Sequence, residues 1–99
     1  MGHEVLVAAP DVCAPIVAKA GLEHHVFDHL SGEELEAIWA PHRGVRGDDM
    51  LKIALPEMFA GRTARRSMPR LREAVETWQP DVIVRESVEF AGLALAEAY

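Results

Sequence analysis

His3-Glu4-Val5-Leu6-Val7-Ala8-Ala9-Pro10-Asp11 is the stretch on which the fold turns. Its centre, Val5 to Ala9, is an unbroken apolar run with β-branched residues at Val5 and Val7. Such a run reads as a strand covered on both faces, and strands of that kind belong to parallel sheets. A buried strand over 3–9 is therefore expected, ended by Pro10-Asp11.

Moving outward, Asp11 can cap a helix whose first turn tolerates Pro15. Ile16, Val17 and Ala20 supply its apolar side, and Gly21 is placed to stop it. Residues 22–28 alternate weakly, Leu22, His24 and Val26 against Glu23, His25 and Phe27, as a second strand nearer an edge does. Strand, helix and strand within about thirty residues make one βαβ unit. Beyond it, Ser31 and Glu34 have the spacing of a capping box, with Leu35, Ile38 and Trp39 as the apolar stripe and Pro41 as the stop. A surface loop over 42–49 contains Gly44 and Gly47. A short helix is expected from Asp49 toward Phe59, interrupted near Pro56. Met68, Leu71, Val75 and Trp78 then mark one face of an amphipathic helix that Pro69 begins or kinks. Gln79-Pro80 ends it, and Asp81-Val82-Ile83-Val84 reads as another buried strand with Arg85-Glu86-Ser87 at its carboxyl end. From Val88 onward, Phe90, Leu93, Ala94 and Glu97 read as a last helix with no Gly, Asn or Pro to terminate it. The alternation predicts an α/β layer, a partial Rossmann-like parallel sheet with flanking helices. In such sheets ligands sit at the carboxyl ends of strands, here Pro10-Asp11, Asp28-His29 and Arg85-Glu86-Ser87.

Composition narrows the function classes. The chain has 99 residues, 49% hydrophobic and 26% charged, which fits one small globular domain. A net charge of -6 argues against nucleic acid as a partner. The basic run Arg62, Arg65, Arg66, Arg70 and Arg72 is followed by Glu73 and Glu76 and reads as a solvated helix face. One cysteine, Cys13, cannot form an internal disulfide, which suits a reducing cytoplasm. No apolar run approaches the roughly 20 residues of a membrane span, and no signal-peptide pattern is present. A soluble, cytoplasmic location without membrane partners is the expectation.

Self-sufficient catalytic motifs are missing. The five histidines lack HExxH or CxxC spacing, although His25 and His29 could share a strand face, and no metal site is expected. Cys13 has no neighbouring base. No GxGxxG, P-loop or GxSxG pattern occurs. Glu86 is the best single candidate, because a carboxylate just after a buried strand can orient a histidine acting as general base. The alternative is that Glu86 pairs with an arginine or favours the start of the next helix.

Three stretches carry a resemblance: Gly2-His3-Glu4-Val5-Leu6-Val7-Ala8-Ala9-Pro10; Ala14-Pro15 with Ala20-Gly21-Leu22-Glu23; and Trp78-Gln79-Pro80-Asp81-Val82-Ile83-Val84-Arg85-Glu86 with Glu89-Phe90-Ala91-Gly92. Together they resemble the nucleotide-sugar-dependent glycosyltransferases with two Rossmann-like domains, especially the bacterial enzymes that glycosylate macrolides and other natural products of antibiotic biosynthesis. The resemblance implies an amino-terminal acceptor-binding domain over 1–99. It implies that the first strand, its catalytic loop and the carboxyl-terminal donor domain lie outside this sequence. The reaction implied is inverting transfer of a sugar to a hydroxyl of a small-molecule acceptor, with no metal and no cofactor beyond the nucleotide-sugar co-substrate. A histidine removes the hydroxyl proton and a carboxylate orients it. The carboxylate falls on Glu86, where many relatives have Asp, and the histidine has no counterpart here. Acceptor contacts by resemblance fall on Met58, Phe59, Ser87 and Phe90, with Phe59 and Phe90 also readable as core. The chain by itself is expected to be inactive. A non-catalytic α/β binding or interaction module is the competing reading, and a nucleotide-binding domain is disfavoured by the missing glycine-rich turn.

A doubly wound sheet places its first strand between its second and fourth. Without that strand, the runs at 5–9 and 82–84 must pair directly or expose two apolar edges, which invites self-association.

Overall fold

The computed structural model describes residues 2–87 and 89–99. β1 (Leu6–Ala9) and β2 (Glu23–Val26) pair in parallel, with Leu6 opposite Glu23 and Ala9 opposite Val26. The crossover runs through a 3-10 turn, Asp11–Cys13, and α1 (Ala14–Lys19). Gly21, at φ +72°, ends α1 as its backbone freedom allows. The fold is thus α/β around a parallel two-stranded sheet. β1 is shorter than the expected run over 3–9, and β2 shorter than 22–28, because each ladder ends where its partner does. His29 accordingly lies beyond β2 and shares no strand face with His25. On α1 only Val17 is buried. Ile16 is 72% exposed and Ala20 is exposed.

α2 (Gly32–Trp39) begins at the expected capping box. The Glu34 N–H donates to Ser31 Oγ at 3.1 Å, and the Ser31 N–H donates to Glu34 Oε1 at 3.2 Å. Two orphan donors of the first turn are thereby satisfied. Ile38 is buried on the inner face. The chain passes through a 3-10 turn at Ala40–His42 into α3 (Asp48–Ile53), preceded by Gly47 at φ +63°.

The expected interruption at Pro56 takes an unexpected form. The backbone does not break but widens into a π-helical segment, Ala54–Thr63, that leads directly into α4 (Ala64–Trp78). Proline has no N–H for the ordinary ladder and its ring crowds the preceding turn; a wider turn relieves both. The fit is close on the other side of that turn. A Cβ on Gly61 would lie 2.9 Å from the Pro56 carbonyl oxygen. Within α4, Pro69 is interior rather than initial. The helix ends on Gln79 in the left-handed conformation (φ 52°, ψ 62°), whose N–H donates to the Val75 carbonyl at 3.0 Å.

α5 (Phe90–Ala98) packs against α4. Ala64, Leu71, Ala91 and Leu95 form the core, with Phe27, Met68, Val75, Ile83 and Phe90 packed around it. The helix expected from Phe90, Leu93, Ala94 and Glu97 is present, and its buried face is Ala91, Gly92 and Leu95; Leu93 is 38% exposed. The expected strand at 81–84 is not formed. Val82 and Val84 are 75% and 91% exposed, and only Ile83 turns into the core. The segment keeps a strand's alternation in exposure, and among the described residues it pairs with no strand. The Cα radius of gyration, 15.2 Å, exceeds the ~13 Å of a compact domain of this length. The excess goes with an elongated shape of 48 × 30 × 23 Å.

Three measurements test this account. Ser31→Ala removes the cap of α2 and is expected to lower stability by about 1 kcal/mol, read by urea unfolding. Glu34 is held below the usual carboxylate range, first by the Ser31 N–H and then by the Arg66 guanidinium. Its contribution is complete above the unfolded-state pKa and is lost as pH falls through the lower folded-state value. Glu34→Gln should therefore flatten the acid limb of the stability–pH curve and leave its alkaline side unchanged. Gly61→Ala forces the Pro56 carbonyl to move and should destabilise by about 1–3 kcal/mol, with loss of helical circular dichroism if the widened turn breaks.

Candidate functional site

A groove of about 850 Å³ lies between β1 and the segment after α4. One wall is the chain from His3 to Ala8, the other runs from Trp78 to Glu86, and Phe27, Leu71, Val75 and Leu95 of the core region line it as well. Glu86 lies on the second wall, where the connection turns toward α5.

That connection is held from within. The Arg85 guanidinium donates through one nitrogen to the carbonyls of Glu86 at 3.1 Å, Ser87 at 3.0 Å and Glu89 at 3.1 Å. The Glu89 N–H donates to the Glu86 carbonyl at 3.0 Å. Ser87 Oγ donates to Glu86 Oε1 at 2.8 Å, which fixes one carboxylate oxygen. Glu89 places a carboxylate at the start of α5. Its Oε2 accepts from the Gly92 N–H at 2.7 Å as a side-chain cap. Glu is not among the preferred capping residues, so sequence reading passed over it; the signal was Gly92 three residues on, whose missing side chain leaves room for that carboxylate.

The remaining candidates are dispersed. Ser87 stands beside Glu86. Phe90 is half-buried against the core on α5. Met58 and Phe59 are half-buried in the π-helical segment. Of the five, only Glu86 lines the groove among the described residues.

The histidines of β2 serve backbone carbonyls. His24 Nε2 donates to Ala9 O at 3.0 Å and His25 Nε2 to Arg70 O at 2.7 Å. Among the described residues, no group of three His, Cys, Asp or Glu side chains converges as a metal site would need, and no helix is long and apolar enough to cross a membrane. Two of the five arginines in the run, Arg66 and Arg70, are paired. Arg66 forks onto the Glu34 carboxylate, and Arg70 pairs with Glu73 at 2.6 Å while its Nε donates to Val26 O at 3.4 Å. A shallow recess of about 370 Å³ beside Arg62 and Arg65 also holds Asp28 and Glu34, which offset its positive charge.

Chemically, the groove offers an apolar interior, unpaired β-strand backbone along one wall and a positioned carboxylate at Glu86. Among the described residues that line it, no nucleophile–base pair and no phosphate cradle is formed.

No family model matches the chain, and no solved structure matches it. The chain is similar to L-demethylnoviosyl transferase of Streptomyces niveus, with 32% identity over 96 residues. That alignment takes in 96% of this chain but 24% of the relative, so the chain spans about a quarter of the length of the curated protein it matches. The similarity relates the chain to a glycosyltransferase at the level of a fragment.

Proposed function

We propose that these residues are the acceptor side of a glycosyltransferase with a Rossmann-like fold, which moves a sugar from a nucleotide-sugar donor to a hydroxyl of a small natural product. The observation that carries the reading is the similarity, along nearly the whole chain, to part of a transferase. In this reading the donor-binding region and the histidine base are supplied by sequence outside the 99 residues. Glu86 is then a positioning residue. Its carboxylate receives the second ring N–H of that histidine, so the other ring nitrogen faces the acceptor hydroxyl and takes its proton as the oxygen attacks the anomeric carbon. Departure of the nucleoside diphosphate completes an inverting displacement, and no metal is needed where the donor side supplies its own cationic and N–H partners.

The Ser87–Glu86 hydrogen bond supports this role. It holds one carboxylate oxygen in a set direction, as a residue that orients a histidine requires. The arginine-clamped turn from Arg85 to Glu89 supplies the rigidity that positioning requires.

Two experiments test the proposal. The chain of 99 residues, mixed with nucleotide sugars and hydroxylated aglycones, is expected to release no nucleoside diphosphate, whereas the longer protein encoded by its reading frame and flanking sequence is expected to turn over; activity of the short chain alone would refute it. In that longer protein Glu86→Gln should lower kcat by about 10²–10⁴-fold with little change in acceptor KM. Glu86→Asp should restore most of the rate, and the pKa governing the acidic limb of the pH–rate profile should fall in Glu86→Gln. A uniform loss in both variants, with an unmoved pH profile, would reduce Glu86 to a structural role.

A further inference from the structure

The recess of about 370 Å³ lies at the carboxyl end of β2, a place where parallel sheets hold their ligands. Asp28, two residues past the strand, is part of its lining. Leu30, 5% exposed, and Pro69 of α4 supply apolar lining beside it. The recess shares no lining residue with the groove at Glu86.

Its charges fall into two sets. Arg66 reaches both carboxylate oxygens of Glu34, and the Ser31 N–H donates to the same carboxylate. That pair is spent on the fold. Arg62, Arg65 and Asp28 are not, since among the described residues their side chains make no hydrogen bond and no ion pair. Three guanidiniums against two carboxylates leave the recess one net positive charge. Half of the chain's ten Lys and Arg residues fall within 62–72, so this field is local to one face of a chain whose net charge is -6.

Two free guanidiniums and one free carboxylate define what fits. A guanidinium presents its N–H donors in a planar fork that matches the oxygens of a phosphate or a carboxylate. An ionised Asp only accepts, and it repels an oxyanion that brings no donor. All three side chains are satisfied by one molecule that carries an oxyanion and a hydroxyl close together. The volume is at the small end of the roughly 300–1,000 Å³ of ligand clefts, which suits a compact molecule.

We propose that this recess binds a small hydroxylated oxyanion, a polyol phosphate or a hydroxy acid, whose charged oxygens meet Arg62 and Arg65 and whose hydroxyl donates to Asp28. This holds independently of the transferase reading, because none of the three residues lines the groove or takes part in sugar transfer.

Glycerol 3-phosphate and glycerate, titrated separately into the purified chain at low salt, are the probes, followed by amide chemical shifts. At least one is expected to saturate with a Kd of about 1 mM or tighter and to shift Asp28, Arg62 and Arg65. The tighter of the two identifies the oxyanion as phosphate or carboxylate. Sulfate, which has no hydroxyl, should bind about tenfold more weakly. The double variant Arg62→Gln, Arg65→Gln should weaken binding by about tenfold or more. Arg72→Gln makes the same kind of charge change on exposed α4 outside the recess and should leave binding unchanged. Asp28→Ala should weaken the hydroxylated ligand and tighten sulfate, a reversal that loss of the fold would not produce. The proposal is overturned if neither ligand saturates, if Arg72→Gln loses as much as the double variant, or if sulfate binds as tightly as the hydroxylated ligands.

Discussion

The packing of α5 against α4 is the contact on which the rest of this chain depends. A two-stranded sheet has too little area to organise a core by itself. The apolar interior is instead built where Ala64 and Leu71 of one helix meet Ala91 and Leu95 of the other. Small residues allow this approach: Ala91 is completely enclosed, and Gly92 beside it is buried. Among the described residues no large side chain is wholly buried, so the core is thin and its few members each matter.

That helix pair also determines where the candidate site lies. Trp78 ends one helix and Phe90 begins the other, so the chain between them must cross the top of the core and return. The left-handed cap at Gln79 redirects the backbone, Ile83 pins the crossing to the core, and Arg85 gathers the carbonyls of the turn. Glu86 is presented at the groove because both ends of its connection are anchored. The connection has the exposed, strand-like valines of a sheet member and the hydrogen bonds of a loop.

What could be read in the sequence was what short-range chemistry decides. The capping box at Ser31 and Glu34 satisfies its own donors within one turn, so its spacing was sufficient. The βαβ unit followed from one apolar run, one glycine stop and one weak alternation. The helical face through Leu71 and Val75 followed from periodicity. The features that escaped need partners distant in sequence. Asp81-Val82-Ile83-Val84 has a strand's composition, but a strand is completed by a neighbour, and composition does not report whether one is in reach. The buried face of α5, Ala91, Gly92 and Leu95, is set by its contact with α4, which the helical reading of 90–97 does not report. Glu86 was expected from its place after an apolar run, and it lines the groove. The cap at Glu89 and the reach of Arg85 over three carbonyls were not expected, since neither follows a common motif.

The widened turns of Ala54–Thr63 have a consequence for motion. From Asp48 to Trp78 the backbone is one continuous helical path, yet its central third forgoes the usual ladder around Pro56. Local opening is cheapest where the hydrogen-bond geometry is least regular and the side chains are only half-buried. Met58 and Phe59 are in that third, while the core residues Ala64 and Leu71 lie beyond it. The path therefore behaves as two stiff rods joined by a compliant sleeve. Breathing of the sleeve can uncover an aromatic and a thioether side chain while the α4–α5 contact stays closed.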